Sequence, residues 1–418
     1  MALREKILII GNGFDLYHEL PTKYSQFIKV LMNIESLNIG ESKDINFEDL
    51  FKDVERYSEM KIRFNTEEMI FDKKMVFEIK NNLQNNCWYK SFKKKLSFEN
   101  WIDVENEIKT TLKIIDKIIF EINQVLNHNK NTSQFEIKWM YLKIFNAKEY
   151  NYLLDFDFLN AEKSHVKHNL FVNSNDFYVN FKKENFYENL FTELQTFTNI
   201  FNLYLESIIG LFYSQIDSEY LNNLEKIDNQ FSHYFTFNYT PTLINFYGIQ
   251  TDKVKYLHGK HDSLNHNIVL GIDEVIDEIN NNNEIFMFTK YYQKLFNNTD
   301  YQFLIEMNKP SSKYEDIDKD FILFGHSLAD NDQNYLKELF DVVKLRETNT
   351  VTVLFHTFND KAQKLKNLLK IIGRSDVEFL MKKKRLNFIQ INDKPFKTVF
   401  KSLPESYLSG VGVDASYL

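Results

Sequence analysis

A continuous apolar run, Leu8-Ile9-Ile10, stops at Gly11, and strand-like runs return only near His233. A run of this kind reads as a parallel strand buried on both faces. Its sheet partners must therefore come from far along the chain. The intervening region, roughly Tyr24 to Asn229, is poor in Gly and Pro and rich in apolar spacings of three and four. Ile108, Leu112, Ile115 and Ile119 form one such series; Phe191, Leu194, Phe197, Ile200, Phe201 and Tyr204 form another. Both predict amphipathic helices, with Asn-rich breaks such as Asn127 to Asn131 between segments. Later strands are expected at His233–Phe237, Lys255–His258, Asn267–Leu270, Phe321–Phe324, Val351–Phe355 and Leu386–Ile391. Several precede a turn signal and a helical pattern, the alternation of an α/β sheet. The expected organisation is a discontinuous α/β core, residues 1–30 and 230–410, interrupted after its first strand by a mostly helical insertion, residues 31–229.

A chain of 418 residues has room for roughly two or three domains. Only 11 Gly and 5 Pro accompany 39 Phe and 23 Tyr, which disfavours a loop-rich all-β fold. The net charge of -8 gives no general attraction to nucleic acid, so no such partner is expected. Lys382 to Arg385 is a local basic run that reads as a solvated helix end. Cys87 is the only cysteine, which excludes an internal disulfide and a cysteine-based zinc cage and suits a reducing cytoplasm. No segment reaches the roughly 18 apolar residues of a membrane span, and the N-terminal run is too short for a secretion signal. The tail "SGVGVDASYL" is expected to fray.

Four segments carry candidate chemistry. Gly11-Asn12-Gly13 follows the first strand; missing side chains let a backbone approach a pyrophosphate, and a plain tight turn is the alternative. In "YFTFNYTPT", Asn238 falls at the C-terminal end of a strand, where a carboxamide orients a water or hydroxyl, or forms a turn before Pro241. In "KYLHGKHDSLNH", His258 closes a strand and suits a general base. His261, Asp262 and His266 crowd near it, which leaves a metal-dependent hydrolase or nuclease as an alternative, although the spacing is not that of a helical zinc site. In "FILFGHSLADNDQNYL", a strand ends at Gly325, Ser327 suits a second part of a nucleotide, and Asp330 with Gln333 has capping-box spacing. Trp101, Asp103, Glu105 and Glu107 read as helix-start chemistry, with Asn100 as a cap.

The order of these segments resembles that of sirtuins. Gly11, Gly13, Leu20 and Pro21 fall on the Gly, Gly, Ile and Pro of the sirtuin opening motif. Thr236-Phe237-Asn238-Tyr239-Thr240 resembles TQNID, Leu257-His258-Gly259 resembles LHG, and Gly325-His326-Ser327-Leu328 resembles GTSL. A closer resemblance is to the AbiH family of bacterial abortive-infection proteins. It is carried by "GNGFDLYHELPTKYSQF", "NWIDVENEI", "TFNYTPTL", "YLHGK" and "GHSLADND". The resemblances imply a Rossmann-like, sirtuin-like parallel sheet and a phage-defence effector that hydrolyses NAD, its substrate rather than a bound cofactor, to nicotinamide and ADP-ribose. Asn238 and His258 would be catalytic. Gly11, Asn12, Gly13, Phe14, Asp15, Pro21, Thr236, Gly325, Ser327 and Leu328 would bind the nucleotide, with Asp15 on ribose hydroxyls. An unidentified phage trigger and self-association are implied as well. An NAD or ADP-ribose sensor without hydrolysis is the alternative. Where sirtuins carry a final Gly before Ile-Pro this chain has Glu19, and one cysteine cannot build their four-cysteine zinc module.

Overall fold

The computed structural model describes residues 4–38, 44–99, 102–128, 146–159, 166–174, 177–224, 227, 230–262, 266–273, 283–299, 303–304 and 317–391. Asn100, Trp101, Asn129 to Asn131 and the tail from Ser409 lie outside these residues. The chain divides into two compact units. One comprises Met1–Leu20, Ile216–Lys260 and Asp300–Leu418; the other comprises Pro21–Gln215 and His261–Thr299.

The first unit is built on a six-stranded sheet. Its strands are β1 (Arg4–Ile10), β2 (His233–Thr236), β3 (Val254–Tyr256), β4 (Asp318–Phe324), β5 (Thr350–Phe355) and β6 (Leu386–Gln390). They lie in the order β3-β2-β1-β4-β5-β6, and every neighbouring pair is parallel. Ile9 is in register with Phe235 of β2 and Leu323 of β4, which places the opening apolar run at the centre. Successive side chains then face opposite layers. Ile7, Ile9, Phe235, Phe321, Leu323, Val351 and Val353 pack with apolar residues of α3 (Gln333–Leu345), α4 (Phe358–Ile371) and α5 (Arg374–Lys382). Leu8, Ile10, Tyr234, Ile322 and Phe324 pack with Phe14 of α1 (Asn12–Tyr17) and Leu243 of α2 (Thr242–Tyr247). Burial on both faces is why these strands lack a polar alternation. Of the basic run, Arg385 is buried, its guanidinium donating to the carbonyls of Val343, Arg346 and Asn349, and only the lysines before it are exposed.

The second unit is mostly helical. Ile108, Leu112, Ile115 and Ile119 are buried on the helix Val104–His128, whose start is capped by Asp103 accepting from Asn106 N–H. Leu194, Phe197, Ile200, Phe201 and Tyr204 are buried along Lys183–Leu203 and the π-helical turn Tyr204–Ile209. Two short antiparallel pairs, Ile45–Asn46 with Ile70–Phe71 and Phe171–Ser174 with Phe177–Phe181, interrupt the helices.

The strand expected at Asn267–Leu270 is absent. Side chains satisfy its backbone in place of a neighbouring strand: Gln293 donates to Leu270 O and accepts from Leu270 N, both at 3.0 Å. Asn297 donates to Ile268 O and Thr299 to Asn267 O. Replacing Gln293 with Ala would strand a buried donor and acceptor, each costing about 1–3 kcal/mol. The expected loss in urea unfolding is about 3 kcal/mol, and a loss near zero would show that water replaces the amide.

Candidate active site

The C-terminal ends of β1, β2, β3 and β4 deliver the candidate segments to one edge of the sheet. Strand order reverses between β1 and β4, so the loops after these strands diverge to opposite sides, the place where open parallel sheets bind ligands.

The glycines hold the loops after β1 and β4 together. Gly11 N–H donates to Phe324 O at 2.9 Å, and Gly13 N–H donates to Gly325 O at 2.8 Å. A Cβ on Gly11 would meet His326 Cα at 2.7 Å, and one on Gly13 would meet Gly325 Cα at 2.7 Å. Close approach of two backbones is thus the local reason for Gly-Asn-Gly, and the Gly13 N–H is already engaged by a carbonyl. Asn12 is exposed at the start of α1. Phe14 is buried edge-on against Phe324 and His18. His18 itself is fixed at both ring nitrogens by the hydroxyls of Tyr220 and Tyr247. At the position of the sirtuin Gly, Glu19 adopts φ 66°. Pro21 belongs to the second unit, where its carbonyl accepts from the buried Tyr204 hydroxyl.

Asp15 joins the β1 loop to the β2 loop. Its carboxylate accepts from Thr242 Oγ1 at 2.6 Å and from Thr240 Oγ1 at 2.5 Å. Burial pushes the carboxyl up to about 6, against the opposing influence of the two hydroxyls and of Asn238. Asn238 approaches this carboxylate, yet its Nδ2 is buried and makes no hydrogen bond of good geometry. The backbone N–H of Asn238 donates to Thr236 Oγ1 at 2.9 Å, so a threonine hydroxyl shapes this turn. Because the folded-state value of Asp15 lies above its ordinary 3.8, its contribution to stability is complete below that pH and is lost as pH rises through about 6. The shift corresponds to about 3 kcal/mol. Across this window the unfolding free energy of wild type should fall by about 3 kcal/mol relative to that of Asp15→Asn as pH rises, because only the wild type carries this slope; parallel curves would contradict the assignment.

His258 lies just beyond β3 and is 5% exposed. Its Nε2 is 3.0 Å from Asp332 Oδ1, and His326 Nε2 is 3.2 Å from Asp332 Oδ2. One carboxylate therefore faces two imidazoles. Phe237 packs against both rings, with centroids 5.2 Å from His258 and 4.2 Å from His326. Tyr335 closes one side, its hydroxyl donating to Leu257 O at 3.1 Å. Gly325 has φ 72° and Leu328, fully buried, has φ 55°. Ser327 is exposed, and its carbonyl accepts from Asn367.

Two residues of this cluster, His326 and Asp332, were not singled out as functional by sequence reasoning. The expected Asp330–Gln333 capping box does not form: Asp330 pairs with Lys370, and Asp332 occupies the N-cap of α3. The signal available was a His and two Asp crowded behind a strand end in "GHSLADND". The crowding of His261 and His266 has a different meaning. Within the second unit, His261 Nδ1 lies 2.6 Å from Glu206 and His266 Nε2 lies 2.7 Å from Asn199. Glu105 pairs with Lys290 at 2.8 Å and Glu107 lies 3.6 Å from Lys95. Among the described residues no group of three His, Cys, Asp or Glu side chains is arranged to hold a metal ion.

Comparison with curated proteins and with solved structures finds no match. The family model described as bacteriophage abortive infection AbiH matches residues 7–355, from within β1 to the end of β5. That span takes in every segment gathered at the sheet edge, and the chain belongs to the AbiH family of bacteriophage abortive infection proteins.

Proposed function

We propose that this protein is an abortive-infection effector that hydrolyses the bond between nicotinamide and ribose in NAD. The observation that carries the reading is the gathering of Asn238, His258 and the two glycine loops at the switch point of a parallel sheet. The strand order, 3-2-1-4-5-6, is that of dinucleotide-binding doubly wound sheets. The buried Nδ2 of Asn238, which makes no hydrogen bond of good geometry, supports it further, because such a group calls for a better-placed partner.

In this reading the C–N bond breaks with its electron pair leaving on nicotinamide, which departs as a neutral base. Positive charge develops at the ribose carbon, as in glycoside hydrolysis. Asn238 orients the attacking water or a ribose hydroxyl, and His258 takes the proton released as the new C–O bond forms. The products are ADP-ribose, nicotinamide and a proton. The internal bond of Gly13 N–H leaves the pyrophosphate to the outer rim of the two loops, where Asn12 and Ser327 are exposed. Asp15, already held by two threonines, serves the reading by fixing the Asn238 loop.

Chromatography of NAD incubated with the purified protein tests the reading. Equimolar ADP-ribose and nicotinamide are expected. Saturable binding of NAD that returns intact would move the protein to the sensor class.

A further inference from the structure

We infer that Asp332 and His326 are positioning residues: His326 orients the Asp332 carboxylate, and the charge of that carboxylate holds His258 as its Nε2–H tautomer. The inference rests on the reading of His258 as the base of the reaction, and it assigns Nδ1 as the nitrogen that accepts the proton.

The direction of this arrangement is set at its far end. Leu328 N–H points at His326 Nδ1, 2.9 Å away. A backbone N–H can only donate, so His326 Nδ1 carries the lone pair and Nε2 of the neutral ring carries the hydrogen. That Nε2–H faces Asp332 Oδ2 at 3.2 Å. Both nitrogens of His326 are then committed within the protein, which leaves it no proton to exchange with a substrate. The other oxygen, Asp332 Oδ1, lies 3.0 Å from His258 Nε2, off the line of a well-formed hydrogen bond. A carboxylate oxygen that close repels a ring lone pair and attracts a ring hydrogen, so the hydrogen of neutral His258 belongs on Nε2 and its lone pair on Nδ1.

The surroundings hold this arrangement in place. Phe237 lies against both imidazoles, and His258, His326 and Asp332 are all largely shielded from water. The bond to His326 is made by a residue in the left-handed region, since Leu328 has φ 55° while fully buried. Strain of this kind persists where the surrounding structure over-determines it, and it concentrates at functional sites. When His258 takes a proton at Nδ1, the resulting imidazolium keeps its Nε2–H toward Asp332. The carboxylate stays ionised and stabilises the new charge, and no proton passes to it.

Two measurements on the full-length chain decide the matter. Ring-nitrogen chemical shifts of isotope-labelled protein, with His258 identified by its absence in His258→Gln, report the tautomer directly. A protonated Nε2 and an unprotonated Nδ1 are expected at neutral pH; the reverse tautomer would overturn the inference, whether or not NAD is the substrate. In Asp332→Asn, kcat for nicotinamide release should fall by about 10²-fold or more with KM for NAD unchanged, because a carboxamide no longer dictates the tautomer. Wild-type kcat in a folded Asp332→Asn would equally overturn it. Should wild type release no nicotinamide, the reading of the reaction fails while the tautomer still decides the inference.

Discussion

Gly325→Ala is expected to destabilise the protein by about 3–5 kcal/mol, a large share of the roughly 5–15 kcal/mol that holds a domain together. Two penalties combine at this position. Its φ of 72° lies in the left-handed region, where a side chain costs about 1–2 kcal/mol. The added Cβ would also sit 2.1 Å from Phe14 N and 2.4 Å from Gly13 C. Those are backbone atoms tied into α1 and into the Gly13 N–H bond to Gly325 O, so they cannot swing aside as the tip of a side chain would. Gly248 supplies the control. It has a similar φ of 67°, and a Cβ there meets nothing within 4 Å. Gly248→Ala should therefore lose only the conformational penalty, about 1–2 kcal/mol. Urea midpoints of both variants separate the two contributions. Equal losses would show that the two strand-end loops are not locked by backbone contact.

The second large effect is on chemistry. His258→Ala should lower nicotinamide release by about 10²–10⁴-fold, the usual contribution of a positioned general base. Asn238→Ala should abolish detectable release while leaving stability unchanged or slightly raised. The unusual sign follows from Nδ2, a buried donor without a good hydrogen bond, whose removal relieves a desolvation cost. A residue that costs stability and carries activity behaves as a functional residue; one that supports the fold loses stability on truncation. Asn238→Ala that melts far below wild type would place Asn238 in the second class.

How far the sequence predicted these features varies with how local each cause is. The apolar run Leu8 to Ile10 predicted a buried parallel strand correctly, because burial on both faces favours a continuous apolar run. The series Ile108, Leu112, Ile115 and Ile119 predicted a buried helix face for the same kind of reason. Asn267–Leu270 misled, since its apolar residues are buried but its backbone partners are the side chains of Gln293, Asn297 and Thr299, which no periodicity encodes. The opening glycines were legible as a close approach, and the group that the fold itself brings against them is the backbone of Gly325. Asp332 was hidden for a topological reason. Its role depends on β3 and β4 delivering His258 and His326 to the same carboxylate, and that meeting exists only once the sheet order is known.

His258 at the sheet edge is proposed to serve the cleavage of NAD. That role is tested most directly by quantifying nicotinamide released from NAD by purified wild type and by His258→Ala under identical conditions. Release by wild type and its loss in a variant that retains the wild-type melting transition is the predicted result. Equal release by the two proteins would contradict the site, and no release by either would contradict the reaction.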